Sequence, residues 1–460
     1  MQYKIGTCAG TLDCGGVLRV RVFPPGFRLG RSMGVLLTGI LLFHAGWYLL
    51  LPYFAILFTA RRSLTPAEAG LVLAAQSLAL LLGSAAGGVL ADRAGRKRTL
   101  LAGLVLRTVG IGALGFPGTM TYYLAAAAVA GFGGGLYGPA AKVAIAVLAG
   151  ERERTTAFAL RGVAANIGVS LGPLAGAFLV RGTMLQLFGL AAGVHLVLGV
   201  LTWALLDEPL SRRQVAPAAV LSLLSDVPYL VFSAVSGLTW ALFTQLAISV
   251  PLFASRVLGL EASVGLLWTI SSVVIILLQV IVTRRILAQL APLTAMAIGA
   301  LLIGAGLGLV GVAGPLWGFG GLVAAVLVFI VGEMFLMPTV DTAVSLVARP
   351  GAEGAYFGIA SVAWGLGEGL GNLSGGGLMQ YSLRTGRVGL PWASYAAVGV
   401  VVAGLFWGLS LWTPLRQRLG RSGGETVRRV QIFRPGHPVS QESSVPARLS
   451  PIVKNDKGNA

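Results

Sequence analysis

Gly88-Val89-Leu90-Ala91-Asp92-Arg93-Ala94-Gly95-Arg96-Lys97-Arg98 interrupts two long apolar runs, residues 67–91 before it and 99–117 after it. Each run is close to the ~20 apolar residues that a helix needs to cross a bilayer. The quoted stretch therefore reads as a short connection between two membrane helices. Four cations within six residues place it on the side of the membrane where Lys and Arg accumulate. Gly88 and Gly95 are read as permitting tight packing and a turn at the helix end. Asp92 is read as accepting charge-assisted hydrogen bonds from Arg96, or as meeting the positive N-terminus of a neighbouring helix.

The rest of the chain repeats this alternation. Of 460 residues 56% are hydrophobic and 11% charged, against about 25% charged in ordinary soluble domains. That excludes a soluble multidomain enzyme, and such hydrophobicity excludes a disordered chain. Glycine contributes 66 residues with no G-x-y period, which suggests membrane helices packed backbone to backbone. The net charge of +18 sits in loops and tails rather than on a nucleic-acid-binding face. Cys8 and Cys14 match no metal or redox spacing, and no metal site or cofactor is expected.

Twelve spans are expected: 33–58, 67–91, 99–117, 120–146, 157–180, 183–206, 227–252, 262–283, 290–313, 317–345, 355–380 and 390–413. A turn at Gly314-Pro315 separates the ninth from the tenth. All are helical, because hydrocarbon offers no partner to a free backbone N–H or C=O. With both termini cytoplasmic, inner loops hold eleven Lys/Arg and outer loops six. Residues 1–32 form a tail that does not read as a signal peptide, 207–226 a linker, and 414–460 a basic, disordered tail near anionic headgroups.

The chain also echoes itself. Pro139 and Pro338 stand 199 positions apart (338 − 139), and Gly168, Gly172 and Gly176 recur at that offset as Gly367, Gly371 and Gly375. A duplicated six-helix unit follows, with bundles 33–206 and 227–413 related by a pseudo-two-fold axis and a site between them near midplane.

The stretch from Gly88 to Arg98 resembles the signature loop of the major facilitator superfamily, G-x-L-a-D-R-x-G-R-[KR]. Asn166 to Gly176 is similar to the G-x-x-x-G-P-x-x-G motif of that family's drug:proton antiporter branch. The resemblance spans about 33–413. It implies the twelve-helix major facilitator fold, alternating access, and a cytoplasmic latch formed by Gly88, Asp92, Arg93, Gly95, Arg96 and Lys97. It also implies that Gly168, Gly172, Pro173 and Gly176 bend helix five and bring it against the opposite half. One departure stands out: Ala127 occupies a site where many antiporters carry arginine.

Charges inside spans are costly and read as functional. Glu333 is expected to carry a proton or anchor a cationic substrate, with Glu368 as a second candidate. Arg107 is read mainly as snorkelling to the interface, and otherwise as a substrate contact. Lys142 and Asp341, again 199 apart, are expected to pair as an inner gate. His44, Trp47, Tyr48, Tyr137, Trp240 and Gln245 are expected to line the cavity, where aromatic walls suit amphipathic cations. His195 reads as core.

These features point to a monomeric secondary transporter in the plasma membrane that moves a small molecule, with the proton as coupling ion. The family resemblance implies efflux of drugs or amphipathic molecules. A metabolite transporter and a transport-dead sensor of the same fold remain alternatives. ATP-driven transport lacks its G-x-x-x-x-G-K-[ST] loop, and three scattered histidines offer no enzyme motif.

Overall fold

A computed structural model describes residues 30–207, 225–349 and 353–419, with side chains for all but Asp92, Ala146, 150–156, Ala159, Ala262 and 353–355. The expected tail 1–32, linker 207–226 and tail 414–460 lie largely outside these residues. The described chain is helical, with no strand. In order come α1 Arg31–Tyr48, α2 Leu51–Arg61, α3 Pro66–Arg93, α4 Arg96–Leu114, α5 Met120–Leu179 and α6 Met184–Leu205. After residue 225 come α7 Val227–Phe243, α8 Ser249–Arg256, α9 Val264–Ile281, α10 Pro292–Val347, α11 Glu353–Thr385 and α12 Leu390–Leu411. By length and composition, nine described helical stretches are long and apolar enough to cross a membrane.

Local sequence fixes where these helices begin. Thr65 accepts from the Glu68 amide while the Glu68 carboxylate accepts from the Thr65 amide, and Pro66 follows at the first helical position. Thr183 and Gln186 repeat that reciprocal cap at α6. Asp226 caps α7.

Two helices break midway. The α1/α2 break falls at Leu49-Leu50 just before Pro52, and the α7/α8 break runs through the 3-10 turn Thr244–Leu246 ahead of Pro251. Each proline lacks an N–H and clashes with the preceding turn. They stand 199 apart (251 − 52).

Several expectations need correction. The bend in α10 falls at Gly318, with φ 54°, whereas Gly314 and Pro315 are helical. Pro315 fixes a φ compatible with helix, but only glycine adopts the Gly318 conformation without strain. The α5 backbone stays helical from Met120 to Leu179 and contains two candidate spans in one element. Beyond α12, residues 413–419 are helical rather than disordered. Arg418 there pairs with Asp226, whose carboxylate accepts from Tyr356 Oη and Arg418 Nη1 at 2.7 Å.

The helices before residue 207 pack on one another, α5 against α1, α3 and α4, and α6 against α4. Those after 225 do likewise, through α7 with α11 and α10 with α12. The two sets meet where α3 packs on α11, α5 on α9 and α2 on α8. At the end holding 62–65 and 257–263 they share one apolar cluster, with Leu50–Phe58 packed against Ile248–Ala254. At the end holding 92–95 each set has its own, around Leu100 and Ala144 in one and Phe232 and Val344 in the other. Among the described residues the two sets therefore share an apolar core at the first end and keep separate ones at the second.

Candidate functional site

Between the two sets lies a cavity of about 410 Å³, within the range that holds small molecules. The half-broken helix α1 supplies Phe43, His44, Trp47 and Tyr48, and α7 answers with Trp240 and Phe243. Phe43 stacks on Tyr137 at 4.4 Å, and Trp240 on Trp364 at 4.3 Å. Trp268 meets Tyr48 edge-on at 5.5 Å.

Charges line the same space in a segregated way. Arg107, Lys142 and Arg161 come from α4 and α5, before residue 207; Glu333 and Glu368 come from α10 and α11, after 225. His44 lies in the field of Arg161 and Arg107. One turn along α1, Tyr48 lies in the field of Glu333 and Glu368. The two rings are 6.4 Å apart, so α1 runs from the cationic side to the acidic side.

Arg107 does not snorkel. It is 1% exposed, its Nη1 donates to the Ala130 carbonyl, and its guanidinium lies over the Phe43 and Trp47 rings at 4.6 and 4.8 Å. Its Nε donates to His195 Nε2 at 3.2 Å, so His195 is more than core filling. Gly134 makes room for Arg107, since a Cβ there would collide with Nη1.

The same helix packing recurs with the charge moved. A Cβ on Gly133 would meet Gly103 O at 2.6 Å and Arg107 N; a Cβ on Gly332 would meet Gly299 O at 2.6 Å and Ile303 N at 2.7 Å. Where one set carries Arg107 beside Gly134, the other carries Ile303 beside Glu333. Each contributes one charge, of opposite sign.

His44, Tyr48, Tyr137, Trp240, Arg107, Lys142, Glu333 and Glu368 all reach the cavity. Gln245 does not: its amide donates to the Ala241 and Gly371 carbonyls, and its Oε1 accepts from Ser249, in the polar knot that satisfies the α7 break. Lys142 and Asp341 are both exposed and make no ion pair with each other among the described residues. Arg161 was missed, although it lies within an expected span and the rule that flagged Arg107 applies to it.

The glycine row needs a second correction. Gly168, Gly172 and Gly176 pack inside their own set, on Leu41 and Ala45 of α1 and on Leu49 at its C-terminal cap. Gly367, Gly371 and Gly375 pack on Trp240, Thr244 and Ile248, each partner again 199 later. Contact with the opposite set comes from the other face of α5, where Gly265 abuts the Pro173 carbonyl at 2.6 Å from a Cβ, and Thr269 donates to Ser170 O.

The connection expected over 88–98 is shorter than read, since only Ala94-Gly95 lies between α3 and α4, and Gly95 has φ 97° and so requires glycine. Arg96 is buried, Arg93 exposed, and Lys97 donates to Leu206 O at 2.8 Å. Gly88 faces open space; the close approach is at Gly87, against Leu136. The Asp92 side chain lies outside the described set.

Residues 36–372 match the sequence profile of the Major Facilitator Superfamily. The chain belongs to the Major Facilitator Superfamily. It is similar to the multidrug resistance protein MdtH of Aeromonas hydrophila subsp. hydrophila, 25% identical over 377 residues, covering 81% of this chain and 93% of MdtH. It is also similar to a Na(+), Li(+), K(+)/H(+) antiporter of Planococcus maritimus, 26% identical, covering 74% of this chain and 87% of the antiporter. The crystal structure of the nucleoside transporter NupG superposes with a TM-score of 0.73 at 16% identity, covering 83% of this chain and all of that one, which shows the shared fold. The protein is thus a membrane-embedded, multi-pass Major Facilitator Superfamily transporter resembling multidrug-type members.

Proposed function

We propose that this Major Facilitator Superfamily member exports amphipathic small molecules in exchange for protons by alternating access. The observation that carries the reading is the placement of Glu333 on the wall of a cavity between two helix sets that share an apolar core at one end and, among the described residues, keep separate ones at the other. A carboxyl there meets water from only one side at a time, as exchange requires. The name of MdtH supports a multidrug substrate range, and that of the Planococcus relative supports proton antiport.

In this reading the two sets are six-span bundles, 33–206 and 227–413, related by the 199-residue repeat, and they make twelve spans in all. The recurring glycine contacts and the paired breaks at Pro52 and Pro251 support it. α4 and α11 complete the count as more polar spans, and α10 contributes two. The 88–98 loop lies in the cytoplasm with both termini, by its cation excess, so the structure faces inward. The protein works as a monomer in the plasma membrane. Glu333 carries the proton, Glu368 assists, and the loop with Asp92, Arg93, Arg96 and Lys97 latches the inner side.

Proteoliposomes loaded with pyranine test the reading. Adding a cationic dye across a pH gradient should drive proton movement with wild type, and E333Q should lose most of it. Dye movement without proton movement would overturn the coupling, and neither movement would overturn the transport reading. A second reading, exchange of a monovalent cation for protons, rests on the Planococcus relative. Proton movement on adding Na⁺ or K⁺ in the absence of dye would select it.

A further inference from the structure

Among the described residues the cavity's basic and acidic side chains form no ion pair with one another. Among the described residues the ion pair found joins Asp226 and Arg418, far from this space. Arg107 has aromatic, imidazole and carbonyl partners but no carboxylate, and the buried Nε of Arg161 has no hydrogen-bond partner at all. A buried cation or hydrogen-bond donor left without its partner is costly, and a bound ligand supplies the missing acceptor. On the opposite wall the Glu368 carboxyl lies beside Ser77 and Trp364.

We propose that the substrates are amphoteric: an apolar, aromatic body carrying both a cation and a carboxylate or similar anion. The anionic group sits against Arg107 and Arg161, the cationic group against Glu333 and Glu368, and the body lies between Tyr48 and Trp240. The two substrate charges are separated by one to two helical turns, roughly 5–10 Å, because α1 crosses from the basic to the acidic wall over that distance. This assignment rests on the efflux reading and narrows it, since a simple lipophilic cation would leave Arg107 without a counter-charge, whereas Arg161 already lies in the field of Asp341. Arg107 makes the distinction because its geometry is fixed on three sides, whereas the mouth-facing Lys142 reaches water.

The test uses purified full-length protein and two dyes that differ in one group: rhodamine B, whose free carboxylate makes it a zwitterion at neutral pH, and its ethyl ester, a monocation. Binding is read from quenching of the cavity tryptophans. Wild type should prefer rhodamine B over the ester by about tenfold or more, the scale of one charge-assisted hydrogen bond. In R107Q and R161Q the ratio of the two affinities should fall towards one, with R107K keeping part of it. Equal affinities, or a preference for the ester, would overturn the amphoteric assignment and leave cation efflux standing. Binding of neither dye would overturn both readings. The wild-type ratio decides even where a variant fails to fold.

Discussion

Arg107 donates from Nε to Nε2 of His195 at 3.2 Å, while His195 Nδ1 lies 2.8 Å from the Ala191 carbonyl. Arginine can only donate, so the contact fixes the imidazole with its proton on Nδ1 and its lone pair on the guanidinium. A residue on α6 thereby orients a cation that α4 presents to the cavity. Gly46 leaves the space His195 occupies: a Cβ there would lie 2.6 Å from Cε1.

H195L should leave the Arg107 Nε–H unpartnered and lower transport roughly tenfold or more, as expected for a lost hydrogen bond to a charged group. H195Q retains an acceptor and should recover part of the loss. Initial transport rates in proteoliposomes check this. A purely structural role for His195 would instead lower the yield of folded protein without changing the rate per folded molecule.

Gly172 sits where a Cβ would be 2.7 Å from the Ala45 carbonyl and 2.8 Å from the Leu49 amide. Both are backbone atoms and cannot rotate away. G172V should destabilise the protein by about 1–3 kcal/mol or prevent folding. G189A, where nothing lies within 4 Å, should change stability little. Thermal unfolding of the two variants in the same detergent gives the comparison.

Burial pushes the Asp226 carboxyl up, but hydrogen bonds from Tyr356 and Arg418 and the Arg418 charge outweigh it and hold it below the ordinary carboxylate range. The unfolded chain then binds this proton more readily, since its value is near ~3.9. The stabilisation is complete above that pH and is lost as pH falls through the folded value. D226N should cost about 1.5–3 kcal/mol at neutral pH. The gap in unfolding temperature between wild type and D226N should hold from pH 8 to roughly 4.5 and close below about 4. A gap that widens in acid would contradict the pairing.

Lys142 and Asp341 stand at the end where the two sets keep separate apolar cores, and among the described residues they make no ion pair. In the alternating cycle proposed above they meet when that end closes. D341K should reduce transport at least tenfold, and the exchanged pair K142D/D341K should restore a substantial part of it. Transport assays on the two single variants and the double variant form a complete cycle. Additive losses would separate the residues.

Much of the architecture is written locally. Thr65-Pro66 with Glu68, and Thr183 with Gln186, announce helix starts, and the 199-residue offset marks matching packing positions. The partners of the glycine row were not legible, because a stripe of small residues says that something approaches closely but not from which side. Gln245 misled for a related reason. A polar residue in a span signals a need for partners, and here the need is the unsatisfied backbone at the α7 break rather than a ligand. Gly88 misled because its neighbour Gly87 carries the contact, a one-residue difference that rotates the side chain by 100°. A cation near a span's end suggests snorkelling, and sequence does not show that Gly134, Phe43 and Trp47 build a niche for Arg107.

The shared core joins Leu50–Phe58 to Ile248–Ala254 through apolar contacts. Prising that seam apart wets oil-like surface, and hydration of such surface raises heat capacity. The balance between the two orientations of the protein therefore curves with temperature. Because apolar association weakens on cooling, chilling should favour the other orientation by the amount that the seam released here exceeds the apolar surface buried as the opposite end closes, a thermal handle that requires neither mutation nor ligand.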